Sequence, residues 1–147
     1  MTDLQLERTQ LVHRNLDETF AFFADPQNLE AITPPWLHFR IIEAPDRLEH
    51  GSRLRYRLRL HGVPVGWLTE ISAWHAPRSF TDRQLRGPYR LWEHTHRFTP
   101  VTAGTEIYDN VRYRVPGGPF APTVTVRRLV GEIFDYRSTR LRELLVE

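Results

Sequence analysis

The stretch Pro88-Tyr-Arg-Leu-Trp-Glu-His-Thr-His-Arg-Phe98 alternates with a period of two. Trp92, His94, His96 and Phe98 fall on one face, and Leu91, Glu93, Thr95 and Arg97 on the other. Successive side chains of a β-strand point to opposite faces of a sheet in this way. The two large aromatics mark the first face as the buried one, and they take two imidazoles inside with them. A polar group buried without a hydrogen bond costs roughly 1–3 kcal/mol. The histidines therefore need partners: an internal polar network, a metal ion or a bound ligand.

Strand and turn signals extend from this stretch in both directions. Arg53–Leu60 alternates strictly, with Arg53, Arg55, Arg57 and Arg59 opposite Leu54, Tyr56, Leu58 and Leu60. The turn His61-Gly62 leads into a long strand, Val63–Trp74, broken by Pro77. Ser79–Leu85, Tyr89–Thr99 and Thr105–Val115 follow, separated by Arg86-Gly87-Pro88 and Thr102-Ala103-Gly104. Short strands with turn residues between them predict an antiparallel meander. Upstream, Leu4–Val12 reads as a first strand with Leu4, Leu6, and Thr9 or Leu11 as inward candidates. Asn15 or Asp17 caps a short helix over Glu18–Ala24. Asp25-Pro26 opens a second short helix that runs through Leu29 and Ile32 and stops at Thr33-Pro34-Pro35. His38–Glu43 is a further strand. After Pro116-Gly117-Gly118-Pro119, the segment Pro122–Leu145 is helical, with Val126, Leu129, Val130, Ile133, Leu141 and Leu144 on one stripe. The expectation is one α+β domain over residues 1–147. Its curved antiparallel sheet of about seven strands wraps around the last helix, with two short helices after the first strand. A sheet wrapped on one helix leaves a gap that suits a ligand.

Composition narrows the chemistry. The chain has no cysteine, which removes disulfides, thiolate metal sites and cysteine nucleophiles. Its 20 cationic side chains are all arginine, so Schiff-base lysine chemistry and a Walker-type lysine are excluded. The basic residues are interleaved with 18 acids rather than concentrated on one face, which argues against nucleic-acid binding. The N-terminal residues have neither the basic start nor the apolar run of a signal peptide. No run of about 18 apolar residues exists to span a membrane. A cytoplasmic protein, monomeric or homodimeric, is expected.

The element order, together with Asp25-Pro-Gln-Asn-Leu-Glu-Ala-Ile-Thr-Pro-Pro-Trp36, Phe80-Thr-Asp-Arg-Gln84, Gly87–Phe98 and Ile133-Phe-Asp-Tyr-Arg137, resembles the helix-grip superfamily. That group includes START lipid-transfer domains, the birch-pollen allergen family and polyketide cyclase/dehydrase-like (SRPBCC) proteins. The resemblance implies the helix-grip fold and a hydrophobic small-molecule cavity; a fold does not by itself carry a reaction.

Phe80 places Asp82 and Gln84 on the inner face, and Ile107, Val111 and Val115 do the same for Asp109 and Tyr113. Neighbouring antiparallel strands then bring these side chains toward His94 and His96. On the last helix Arg137 falls about 20° and Arg140 about 40° from Val126, inside the apolar stripe. A buried arginine needs an anion, and Asp82, Asp109 or an anionic ligand group can supply it. The expected apolar walls are Phe22, Trp36, Tyr56, Leu58, Trp67, Trp92, Phe98, Ile133 and Phe134, with Trp36 as a possible lid after the Pro34-Pro35 stop. The expected ligand-binding set is Trp36, Tyr56, Trp67, Asp82, Gln84, Trp92, His94, His96, Asp109, Tyr113 and Arg137. Trp67 and Trp74 lie on opposite faces by parity unless a bulge intervenes. The arginine face of residues 53–59 reads as a solvated outer surface paired with Glu70 or Glu106. Binding of a hydrophobic or amphipathic small molecule is the leading reading, with no cofactor required. The alternatives are a cyclase or dehydratase using His94 or His96 as general acid–base, oriented by Asp109, and an interaction protein whose cavity is filled by its own side chains. No nucleophile motif is present. His-x-His plus an acid matches a metal pattern, but a nearby arginine would repel a cation, so no metal is assigned.

Overall fold

The computed structural model describes residues 3–115 and 123–146. In chain order the elements are β1 (Leu4–Val12), α1 (Leu16–Ala24), α2 (Asn28–Ala31), a 3₁₀ turn (Pro35–Leu37), β2 (Arg40–Glu43), β3 (Arg53–Leu60), β4 (Val63–His75), β5 (Ser79–Arg86), β6 (Leu91–Val101), β7 (Gly104–Arg114) and α3 (Thr123–Leu144). The strands form one antiparallel seven-stranded sheet in the order β1-β7-β6-β5-β4-β3-β2. Consecutive strands from β2 to β7 are joined as a meander, and β1 closes on β7. The two short helices and the 3₁₀ turn carry the chain from one edge of the sheet to the other. This is the α+β helix-grip arrangement. The Pro116–Pro119 turn and the first residue of the expected last helix lie outside the described residues.

Local chemistry explains the boundaries. Asn15 caps α1, its Oδ1 accepting from the Glu18 backbone N–H at 2.8 Å while its Nδ2 donates to Glu18 Oε1 at 2.9 Å. The first bond satisfies one orphan N–H of the first turn, and the second holds the Glu18 side chain against the cap. β2 begins at Arg40 rather than His38, because His38 takes a left-handed conformation (φ 49°) after the 3₁₀ turn.

The register of β1 is the even one. Leu4, Leu6, Arg8 and Gln10 are half-buried and Val12 is buried. Leu11 is 39% exposed and Thr9 faces solvent, so neither is an inward residue. The inner face is polar at Arg8 and Gln10 because these reach α3: Arg8 Nη2 lies 3.4 Å from Asp135 Oδ1, and Gln10 donates to the Ser138 carbonyl at 3.1 Å. On β4 a register shift between Ile71 and Ala73 inserts an extra residue. The bulge reverses the parity, so Trp67 and Trp74 both serve the core: Trp67 is buried and Trp74 packs edge-on against Phe20 at 5.0 Å. The arginines of β3 are exposed. Arg53 pairs with Glu70 at 3.2 Å, whereas Glu106 faces Leu11 and Thr99 on distant strands.

The core divides into two apolar clusters. One gathers Val12, Phe20, Phe23, Ile71, Phe80, Phe98, Ile107 and Leu141 under α1. The other gathers Leu37, Leu58, Trp67, Trp92, Val111, Tyr113, Val130 and Phe134. Each large side chain so buried contributes roughly 1.5–3 kcal/mol. On α3 Val130, Phe134, Arg137 and Leu141 are buried. Arg140 does not share that burial: its Nε donates to the Ala31 carbonyl at 3.1 Å and its Nη1 pairs with Glu143 at 2.6 Å. The long side chain reaches the edge of the stripe and places its charge at the surface, as long cationic chains do.

Candidate functional site

A cavity of about 170 Å³ opens between the sheet, α1, α2 and α3. An apolar cavity of about 150 Å³ stays dry and accepts benzene, so the space suits a compact apolar molecule. Its walls include Phe22, Tyr56, Leu58, Trp67, Trp92, Ile133 and Phe134, all expected from the sequence. Phe23, Leu29, Ile32, Leu37, Phe39, Leu48, Leu54, Ile71 and Tyr89 also line it and were not anticipated. Phe23, Leu29, Ile32, Leu37, Phe39 and Leu48, from the connection between β1 and β3, were missed because only three-dimensional closure brings that connection over the sheet. The inward leucines of β3 and the turn residue Tyr89 did carry an alternation or aromatic signal.

Five charged or titratable side chains meet at one wall, between the two apolar clusters. Register places Asp82 opposite His94 on β5–β6, and Asp109 opposite His96 on β6–β7. The hydrogen bonds run diagonally. His96 Nε2 lies 2.6 Å from Asp82 Oδ2, and His94 Nε2 lies 2.7 Å from Asp109 Oδ1. The imidazoles stack at 3.6 Å. His96 stacks in turn on Phe80 at 4.0 Å, and His94 meets the Phe134 edge at 5.3 Å. Arg137 Nη2 donates to His96 Nδ1 at 3.4 Å and lies 3.7 Å from Asp109 Oδ1. With Nδ1 accepting, His96 carries its proton on Nε2 and donates it to Asp82. Phe23 and Phe134 flank the Arg137 guanidinium at 5.3 and 5.5 Å, within cation–π range.

Burial and the neighbouring His94 lower the His96 pKa to about 4, against the opposing pull of Asp82, so this imidazole is neutral near pH 7. Burial opposes ionisation of both acids, yet both are held below the usual carboxylate range. Arg137 and the His94 hydrogen bond outweigh burial at Asp109; the His96 hydrogen bond and the charges of His94, His96 and Arg137 do so at Asp82. Burial pushes the Tyr56 and Tyr89 phenols up, which keeps them protonated.

Asp82, His94, His96 and Arg137 line the cavity, while Asp109 is not part of the lining and is held behind them by His94 and Arg137. Other expected site residues are elsewhere. Trp36 is 47% exposed and is not part of the lining; the 3₁₀ turn buries Leu37 in its place. Gln84 clamps the backbone of Tyr89, donating to its carbonyl at 2.6 Å and accepting from its N–H at 3.2 Å. It thus positions a wall residue without being one. Tyr113 and Phe98 are buried in the two clusters rather than at the cavity surface.

The match to known proteins agrees with this architecture. The chain belongs to the polyketide cyclase/dehydrase and lipid transport family, whose model matches residues 12–142. A search of curated proteins returns no match. Among solved structures, the Zhui aromatase/cyclase from Streptomyces sp. R1128 is similar with a TM-score of 0.79 at 16% identity, over 97% of this chain and 93% of that one. A START superfamily protein from Mycobacterium smegmatis gives 0.75 at 16% identity, over 96% of each chain. Major latex-like protein 151 from Panax ginseng gives 0.65 at 12% identity, over 93% and 96%. At these identities the likeness is one of fold. Among the described residues no helix is long and apolar enough to cross a membrane.

Proposed function

We propose that this protein binds a compact hydrophobic or amphipathic small molecule in the cavity between the sheet and α3. The observation that carries the reading is a cavity of about 170 Å³ with aromatic and aliphatic walls and polar groups gathered at Asp82, His96 and Arg137. Such pockets take their affinity from apolar burial and their orientation from a few placed polar groups. A ligand with an oxygen at one end would set it against the Arg137 guanidinium. Binding is tested by titrating the purified protein with a panel of one- and two-ring aromatic compounds, with and without a carbonyl or carboxylate, and reading Trp67 and Trp92 fluorescence. Saturable binding that Leu58→Trp abolishes by filling the cavity is expected. Absence of saturation across the panel, or binding that Leu58→Trp leaves intact, would overturn the reading.

One observation favours a second reading, acid–base catalysis of a cyclisation or dehydration. Among the described residues His94 Nδ1 is the one ring nitrogen of the histidine pair without a hydrogen bond, and its nearest carboxylate oxygen is at 3.8 Å. A general base needs such a free lone pair within reach of the substrate. Turnover of an aromatic or polyketide-like ligand that His94→Gln removes while leaving affinity unchanged would favour it over simple binding.

A further inference from the structure

We infer that the polar end of the cavity selects a ligand that donates a neutral hydrogen bond, a phenolic hydroxyl, and that His94 is the residue that discriminates. The inference rests on the cavity binding proposed above and names the class of ligand.

The two histidines differ in what they have left to offer. His96 is engaged on both nitrogens: Nε2 donates to Asp82 Oδ2 at 2.6 Å, and Nδ1 accepts from Arg137 Nη2 at 3.4 Å. His94 is engaged on one. Its Nε2 stands 2.7 Å from Asp109 Oδ1. An ionised carboxylate only accepts, so Nε2 carries the proton, and in the neutral ring Nδ1 keeps its lone pair. The nearest carboxylate oxygen, Asp82 Oδ2, is 3.8 Å from Nδ1, beyond hydrogen-bond range. Among the described residues the buried polar atoms closed off without a partner are Trp67 Nε1 and Arg137 Nε. His94 Nδ1 is not one of them, and its ring lines the cavity. Asp82 stands beside it with its side chain 18% exposed, the most open member of the cluster. The wall therefore turns two neighbouring acceptors toward the ligand.

That pattern sorts ligand groups by chemistry. A carbonyl or ether oxygen brings only lone pairs and leaves Nδ1 without a donor. A carboxylate adds a negative charge beside Asp82 and Asp109, both held ionised. An ammonium group meets the Arg137 guanidinium. A hydroxyl gives its hydrogen to Nδ1 or Asp82, and its oxygen can still accept from Arg137. A phenol donates more strongly than an aliphatic alcohol, and its ring suits walls built from Tyr56, Trp67, Trp92 and Phe134.

The probes are phenol, toluene and benzoate, which share one ring and differ in the group placed at the polar end. Full-length protein is titrated with each by calorimetry, and ring ¹⁵N resonances of the histidines are followed. Phenol should move the His94 Nδ1 resonance and toluene should not, a readout that needs no variant to fold. The ratio of phenol to toluene affinity should be about 10–100-fold higher in the wild type than in His94→Phe, the range of one hydrogen bond to a polar or charged partner. Benzoate should bind no more tightly than toluene. If toluene saturates while phenol leaves Nδ1 unmoved, or if His94→Phe keeps the wild-type ratio, the donor selection is overturned and the cavity binding stands. Tightest binding by benzoate overturns it as well. If none of the three saturates, both readings fall.

Discussion

Arg137 is the residue on which the polar cluster depends. It brings one positive charge to a pocket holding two carboxylates, from a side chain that is 9% exposed. Removing one partner from a buried charge cluster costs about 3–5 kcal/mol, since the remaining charge loses its counterion. Arg137→Met should therefore lower stability in urea unfolding by about 3 kcal/mol or more, and adding Asp109→Leu should recover part of that loss. A neutral Arg137→Met would show that the guanidinium contributes no net stabilisation. The same cluster sets a pH dependence. Between pH 6.5 and about 4 the unfolded chain binds a proton at His96 that the folded chain refuses, so stability falls as pH drops through that window. The difference amounts to about 3 kcal/mol. Below it the depressed carboxylates of Asp82 and Asp109 continue the fall with the same sign. Unfolding curves at pH 7, 5.5 and 4 should show the decline, and His96→Gln should flatten its upper part. All five members were legible in the sequence, because alternation on three strands and the helical period each mark a face. Their pairing was not: in-register neighbours suggest Asp82 with His94, whereas side-chain reach selects the diagonal His96.

At the scale of elements, the β6–β7 hairpin shows how tightly β1 closes the sheet. Gly104 has φ +151°, and a Cβ there would lie 2.1 Å from the Val12 carbonyl oxygen. Backbone cannot yield cheaply at such a contact, so Gly104→Ala should cost about 2 kcal/mol or more. Thermal melting should show a Tm drop of about 5 °C or more, and an unchanged Tm would mean that the turn re-forms around the methyl group. α1 offers a gentler case. Asn15→Ala removes a reciprocal cap and should cost about 1 kcal/mol, measured the same way. Strands β3 to β7 were legible to within two residues at each end, because their alternation is bounded by turn residues. The β1 register and the side of Trp74 were not. Arg8 and Gln10 turn inward to reach α3, and one inserted residue on β4 resets the parity.

For the whole molecule, occupancy of the space between sheet and helix couples ligand binding to stability. A ligand that binds only the folded state stabilises it by about 2.7 kcal/mol at a hundredfold excess over Kd. For a chain of this length that is a Tm rise of about 5–10 °C. Thermal scans against the aromatic panel should reveal such a rise for the wild type and none for Leu58→Trp. A panel-wide absence of any shift would support a cavity used for packing alone.

By itself the sequence determined the layer architecture, the identity of the buried face on β3, β5, β6 and β7, and the co-location of acids, histidines and arginine. These follow from local periodicity, which the backbone imposes whatever lies beyond it. Tertiary structure alone decided that Trp36 stays outside while Leu37 goes in, that Gln84 holds a turn, and that Asp109 stands behind the cavity wall. It also decided the crossed His–Asp pairing and the volume left between sheet and helix. Those outcomes depend on side-chain reach and on how separate elements close over one another, and no periodicity along the chain encodes either.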